Sequence, residues 1–309
     1  MSSNSPSVSV VIPARNAADV LPRALVSIRD QDYDNIIEVV VAAADPGSAE
    51  VAEQSGARVV SNPGGATPSG LNLAIAASGG DVIVRCDAQS VLESDYVSRA
   101  IATLLRTGAA NVGGMQVPLG ATLWGRAIAA AMSSPWGAGD ARYRVGGEEG
   151  PVETVYLGVF RREAVEAVGG FDERFQRNQD YELNHRLLAA GEMVWFDPGL
   201  RVEYRPRDSL RALAQQYYGY GRAKRQFSRL HRGSLRLRQL AAPTLVITLV
   251  AATIASVFVP PLIFVPLAYV GGVVMAGLAS DPHSLRVSAA LITMHLSWGS
   301  GFLIGRASG

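Results

Sequence analysis

The chain has 309 residues, is 48% hydrophobic and only 18% charged, and sets Lys+Arg 28 against Asp+Glu 27. So balanced a charge argues against nucleic acid as the main partner, and a single cysteine, Cys86, excludes an intrachain disulfide framework and fits a reducing compartment. The length accommodates one large domain or one domain plus an appendage; charges are scattered along the first three quarters and almost absent from the last.

Met1 to Ser7 is polar, with no basic stretch leading into an apolar one, so a cleaved signal peptide is not expected. Val8 to Ile12 is a β-branched run stopped by Pro13, the pattern of a buried strand. Val20, Leu21, Ala24, Leu25 and Ile28 then recur at the spacing of an amphipathic helix within Ala17 to Asp30. A second strand is predicted at Ile36 to Val41, a helix around Ala49 to Gln54, and a short strand at Arg58 to Ser61. A helix at Leu71 to Ala77 and a strand at Asp81 to Arg85 follow. Strands and helices alternating at this interval predict βαβ units and a mostly parallel sheet. Such sheets bind ligands beyond the carboxyl ends of their strands. Three of the four strand ends carry Arg15-Asn16, Asp45 and Asp87 there, although Asp and Asn are common in any loop.

Between Leu119 and Tyr143, Trp124, Ile128, Met132 and Trp136 recur on a helical spacing. This reads either as a core helix or as an amphipathic surface helix that meets lipid or a lipid-linked acceptor. A strand from Val152 to Phe160, a helix to Val168, a tight turn at Gly169-Gly-Phe-Asp-Glu173 and a helix from Asp180 to Ala190 come next. A last strand, Met193 to Phe196, is expected to end at Asp197-Pro198.

Arg222, Lys224, Arg225, Arg229, Arg232, Arg236 and Arg238 form a basic run without an acid. About 42 residues then pass before Asp281, about twice what a bilayer crossing needs. Pro260-Pro261 divides them into two predicted spans, 240–259 and 262–279, and a third apolar run covers 287–305. The basic run before the first span predicts a multi-pass protein whose N-terminal domain, residues 1–238, faces the cytosol. The second span returns the chain to the cytosol at Asp281-Pro-His-Ser-Leu-Arg286, and a third crossing leaves the C-terminus outside. The arginines are also placed to bind anionic lipid.

Taken together these segments resemble the family 2 inverting glycosyltransferases of the GT-A fold, and among them the membrane-bound succinoglycan-biosynthesis group. The resemblance implies an α/β nucleotide-diphospho-sugar transferase domain followed by transmembrane helices, in a bacterial plasma membrane. It implies donor contacts from Pro13, Arg15 and Asn16, from Asp45 at the acidic turn that reads uracil or ribose, and from Asn72. One adjacent aspartate usual at that turn is absent, and Pro46 is inserted. Arg85-Cys86-Asp87-Ala88-Gln89 stands where the family has its Asp-x-Asp signature. Asp87 is thereby implied as the metal ligand for Mg²⁺ or Mn²⁺, and Arg85, Asp87 and Gln89 as donor-binding residues. Gln89 replaces the second carboxylate with a weaker ligand for a hard cation. Asn178-Gln-Asp180-Tyr-Glu182 matches the helix that supplies the family's catalytic base, which makes Asp180 the base. Glu182, about 200° further around the helix, cannot face the same acceptor. The implied partners are a nucleotide-sugar donor, UDP-linked in this group, a lipid-linked or glycan acceptor, and membrane lipids. A polyprenyl-phosphate glycosyltransferase and a non-catalytic membrane scaffold of the same fold stand as alternatives.

Overall fold

Val8–Ala14 forms β1, in which every side chain but Pro13 is fully buried. In the computed structural model, which describes residues 5–281 and 285–305, it opens a βαβ alternation. α1 (Leu21–Arg29), β2 (Ile36–Ala43), α2 (Pro46–Gln54), β3 (Arg58–Ser61), α3 (Thr67–Ala76) and β4 (Val82–Arg85) follow. Next come β5 (Val91–Leu92), α4 (Tyr96–Thr107) and β6 (Asn111–Pro118). The chain then leaves the sheet for α5 (Leu123–Ser133) and α6 (Pro135–Ala138). It returns with α7 (Arg142–Val145), β7 (Gly150–Pro151), β8 (Tyr156–Arg161), α8 (Arg162–Ala167), α9 (Gln179–Ala189) and β9 (Val194–Tyr204).

The strands make one mixed sheet in the order β3-β2-β1-β4-β8-β6-β9-β5, with β7 beside β9. β3, β2, β1 and β4 run parallel, and β8 lies antiparallel to β4 and β6. Parallel strands covered on both faces need apolar residues on both. Val10 and Ile12 accordingly join Leu21, Ala24, Val97 and Ala100 on one side, while Val11 joins Leu71, Ala74, Leu183 and Leu187 on the other. β6 approaches β9 so closely that a Cβ on Gly114 would stand 2.0 Å from the Leu200 carbonyl oxygen, and only glycine fits.

β9 runs on past its expected end at Asp197-Pro198. The Asp197 carboxylate accepts hydrogen bonds from the Gly199 amide (2.8 Å), from Arg99 Nη2 (2.8 Å) and from Thr103 Oγ1 (3.0 Å), tying the extended chain across the proline to α4. Burial pulls this carboxyl up, but the Arg99, Gly199 and Thr103 hydrogen bonds outweigh it and hold it below the ordinary carboxylate range.

Residues through Val117 together with Arg142–Tyr204 form one unit; Pro118–Ala141 and the chain from Arg205 onward form the other. The second is helical: α5, α6, α10 (Leu210–Leu230), α11 (Ala241–Ala255), α12 (Phe264–Ser280) and α13 (Leu285–Ile304), with 3₁₀ turns at Leu237–Leu240 and Pro260–Ile263. Thr122 caps α5 by accepting the Gly125 amide (2.9 Å). Ile128 and Met132 are buried, whereas Leu123 and Trp136 are exposed, so this stretch has both a core face and an apolar outer one. Leu237–Ala255, Pro260–Ser280 and Leu285–Ile304 are each long and apolar enough to cross a membrane. Residues 1–4 of the polar N-terminal stretch, 282–284 of the loop before the third hydrophobic run, and 306–309 lie outside the described residues.

Candidate active site

The ends of β1 and β2 are stitched together by Asp45. As N-cap of α2 it accepts from the Ser48 amide at Oδ1 (2.9 Å), and its Oδ2 accepts from the Ser48 hydroxyl (2.8 Å) and the Asn16 amide (2.6 Å). The Ser48 and Asn16 amides hold its carboxyl below the ordinary range. The same contacts set Asn16 in a left-handed conformation (φ 49°), leaving the Arg15 and Asn16 side chains exposed at the strand ends. Arg15 lies against Gly65, where a Cβ would come 3.0 Å from Arg15 Cδ, and Pro13 borders Gly70 of α3. Pro13, Arg15, Asn16 and Asp45 are thus assembled into one rim.

One strand over, Arg85 ends β4 with its side chain only 3% exposed. A buried guanidinium requires anionic partners, and it has two. Nε and Nη2 both reach Asp87 Oδ1 (3.2 and 2.9 Å), while Nη1 forms an ion pair with Asp180 at the start of α9. Arg85 therefore joins the carboxylates implied as metal ligand and base, which lie 93 positions apart in the chain. The Phe171 ring lies beside the guanidinium (6.0 Å to its centroid). Gln89 is exposed in the turn closed by the Ser90 amide on the Asp87 carbonyl (2.9 Å). Cys86 is buried and burial pushes its thiol up, which suits packing and not nucleophilic chemistry.

Tyr156, near this loop, was not singled out by the sequence reading. Its hydroxyl meets Ser90 Oγ (3.3 Å), and burial first, then the charge of Asp87, raise its phenol well above the ordinary tyrosine value. It is a neutral polar support for the Asp87 turn. Its only sequence signal was its place in Val155-Tyr-Leu-Gly158.

Asn72 is engaged differently from the rim residues. Its Nδ2 donates to the Phe171 carbonyl (2.8 Å) and its Oδ1 accepts the Phe171 amide (2.8 Å), clasping α3 to the turn at Gly169-Gly170. Glu182 is 1% exposed and makes a two-pronged pair with Arg186 (2.8 and 2.7 Å). Arg186 in turn donates to the Val168 and Gly170 carbonyls of the same turn. Glu182 and Asp180 thus serve opposite sides of α9, one building the turn and one facing Arg85. Glu182→Ala removes one partner of a buried pair, so the protein is expected to lose about 3 kcal/mol of stability, read as a fall in thermal midpoint; an unchanged midpoint would contradict this role.

Among the described residues no three His, Cys, Asp or Glu side chains converge as a self-sufficient metal site. The donor set at the Asp87 turn is one part-exposed carboxylate, with Oδ1 already on Arg85, and the exposed amide of Gln89. That set suits a hard cation that arrives with phosphate oxygens and keeps water ligands, not one caged by protein alone.

A parallel-to-mixed sheet with acidic side chains past β2 and β4 and a carboxylate on a facing helix is the arrangement of a GT-A glycosyltransferase. The model of glycosyl transferase family 2 matches residues 9–169. The succinoglycan biosynthesis protein ExoA of Rhizobium meliloti (strain 1021) is 31% identical over 308 residues, covering 95% of this chain and 93% of that protein. The chain belongs to glycosyl transferase family 2 and is a glycosyltransferase. Among solved structures it is similar to the mannosyltransferase PcManGT from Pyrobaculum calidifontis in complex with GDP-Man and Mn²⁺ (TM-score 0.66, 17% identity, 96% of this chain and 88% of that one). It is also similar to S. aureus TarS 1–349 (TM-score 0.52, 12% identity, 96% and 90%). These two likenesses establish the fold.

Proposed function

We propose that the protein is a membrane-anchored, inverting hexosyltransferase. It takes a sugar from a nucleotide diphosphate, UDP by the group it resembles, and places it on a lipid-linked or polysaccharide-precursor acceptor in envelope or exopolysaccharide synthesis. The observation that carries this reading is the Arg85 bridge between Asp87 and Asp180, which sets a leaving-group site and a base site side by side. The nucleotide lies over the rim of Pro13, Arg15, Asn16 and Asp45, and its diphosphate reaches Asp87. A divalent cation bound there with the diphosphate supplies neutralisation of the charge on the leaving group. The anionic diphosphate competes for the Arg85 guanidinium, freeing Asp180 to face the acceptor. Asp180 takes the proton of the acceptor hydroxyl as its oxygen bonds to the anomeric carbon; the bond from that carbon to the phosphate oxygen breaks, and the diphosphate leaves with the electron pair. One displacement inverts the anomeric configuration.

The apolar C-terminal helices anchor this domain, with the run from Arg222 to Arg238 keeping it on the cytosolic side. The relation to a succinoglycan biosynthesis protein supports an extracellular polysaccharide as the end product. Incubating membranes that carry the protein with a labelled donor and bacterial lipid extract tests the reading. Label is expected in a lipid-linked saccharide with inverted linkage. Label held directly on polyprenyl phosphate would assign the enzyme to donor-lipid synthesis instead, and retained configuration would rule out the single displacement.

A further inference from the structure

α13 differs from the other two hydrophobic helices in its surroundings. Its residues are 39% buried within the protein, against 17% for Pro260–Ser280 and 6% for Leu237–Ala255. Helices facing lipid all round have no such cover, so α13 has a protein environment that a simple span lacks.

Its two ends show where it runs. Near its start, Ser288 packs on Gly277 in the last turn of α12, where an added Cβ would come 2.1 Å from Ser288 Oγ. Near its finish, Gly299 packs on Ala242 in the first turn of α11, where an added Cβ would come 2.5 Å from the carbonyl oxygen. Gly301 meets the Tyr218 carbonyl in the same way (2.1 Å), so α10 lies backbone to backbone against this end. Arg225 of α10 donates through Nη1 to the carbonyls of Leu303 (2.6 Å) and Gly305 (3.3 Å), placing a cation on the C-terminal end of α13, where the helix dipole favours one. In the middle, His295 is satisfied inside the protein: Nδ1 with the Tyr269 hydroxyl (3.1 Å) and Nε2 with the Trp136 carbonyl (2.8 Å).

If α11 and α12 cross as a hairpin, the first turn of α11 and the last turn of α12 lie on one side of the bilayer, the side of the basic run. Both ends of α13 are fastened to those two turns. We infer that α13 does not cross the membrane: it enters and leaves on the cytosolic side, paired with α10 against the mouth of the α11–α12 hairpin, and the C-terminus stays in the cytosol. A crossing would carry one end of this 20-residue helix about 30 Å from the other. It would also carry Arg225, and Arg222 beside Gly305, across the bilayer to its far face. The surface that α10 and α13 offer is thus a lipid-interface platform, and its partner is the headgroup layer of the cytosolic leaflet. Length and composition alone do not separate this helix from a span, because its stretch is long enough and holds only one titratable group beyond Arg286.

The inference rests on the proposed anchoring by the hairpin, so its test follows both. Two variants of the full chain are made, Val257→Cys in the exposed turn between α11 and α12 and a cysteine appended after Gly309; the native Cys86 is buried and the parent protein gives the background. A membrane-impermeant maleimide is applied to spheroplasts and to inverted vesicles. The expected result is that V257C reacts in spheroplasts while the appended cysteine reacts only in inverted vesicles. Reaction of the appended cysteine in spheroplasts would mean three crossings and overturn the inference. Reaction of V257C only in inverted vesicles would mean that the hairpin does not cross, and would remove the anchoring reading along with it.

Discussion

Asp180→Asn is expected to lower turnover by about 10²- to 10⁴-fold, roughly 3–5 kcal/mol of barrier, while donor affinity stays within a few-fold of the parent. The amide keeps the shape of the carboxylate and cannot accept the acceptor's proton, so the loss falls on the chemical step. The buried guanidinium of Arg85 retains Asp87, from which it receives two of its contacts, so the variant is expected to fold. Donor titration and single-turnover rates separate the two quantities. Full activity in the Asn variant would remove Asp180 as the base. Since Glu182 is closed off in its pair with Arg186, another acceptor of the proton would then have to be sought outside the first turns of α9.

Asp87→Ala is expected to act on binding. Loss of the one carboxylate available to a cation at this turn should raise the donor concentration needed for half-maximal rate by about 10- to 100-fold, roughly 1.4–3 kcal/mol. It should also flatten the response to added Mn²⁺. Arg85 would keep Asp180 as its only anion, so the variant is expected to hold the base more firmly as well as to bind donor less well. An unchanged metal response would show that Asp87 is not the residue through which metal acts.

Much of the sheet domain was legible because its signals are local. The β-branched run from Val8 and the apolar spacing of α1 each act within a few residues of themselves. The resemblance of Asn178 to Arg186 to the family's catalytic helix singled out Asp180, and the 200° offset of Glu182 already barred it from the same acceptor. What could not be read was the partner of each charge. Arg85 bridges Asp87 and Asp180 only because β4 ends beside the start of α9, a juxtaposition made by the fold and carried by no spacing in the chain. Asn72 shows the same limit from the other side: its amide, expected at the donor, is spent on both backbone groups of Phe171, 99 positions away. The end of β9 was misplaced because Pro198 signals a break, and the compensating contacts to Arg99 and Thr103 come from α4. For α13 the hydrophobic pattern was plain, but the arginine fastening its C-terminal end sits 78 residues upstream on α10.

Whether these strand ends bind a nucleotide-diphosphate sugar for transfer is read from donor binding and hydrolysis. The detergent-purified full chain would be screened against UDP-, GDP- and dTDP-sugars, GDP-Man included, with and without Mn²⁺. Metal-dependent binding and slow hydrolysis of one donor class are expected, both weakened by Asp87→Ala and only hydrolysis by Asp180→Asn. Folded protein that binds none of these donors under either condition would contradict this expectation and leave a membrane scaffold of the same fold as the better description.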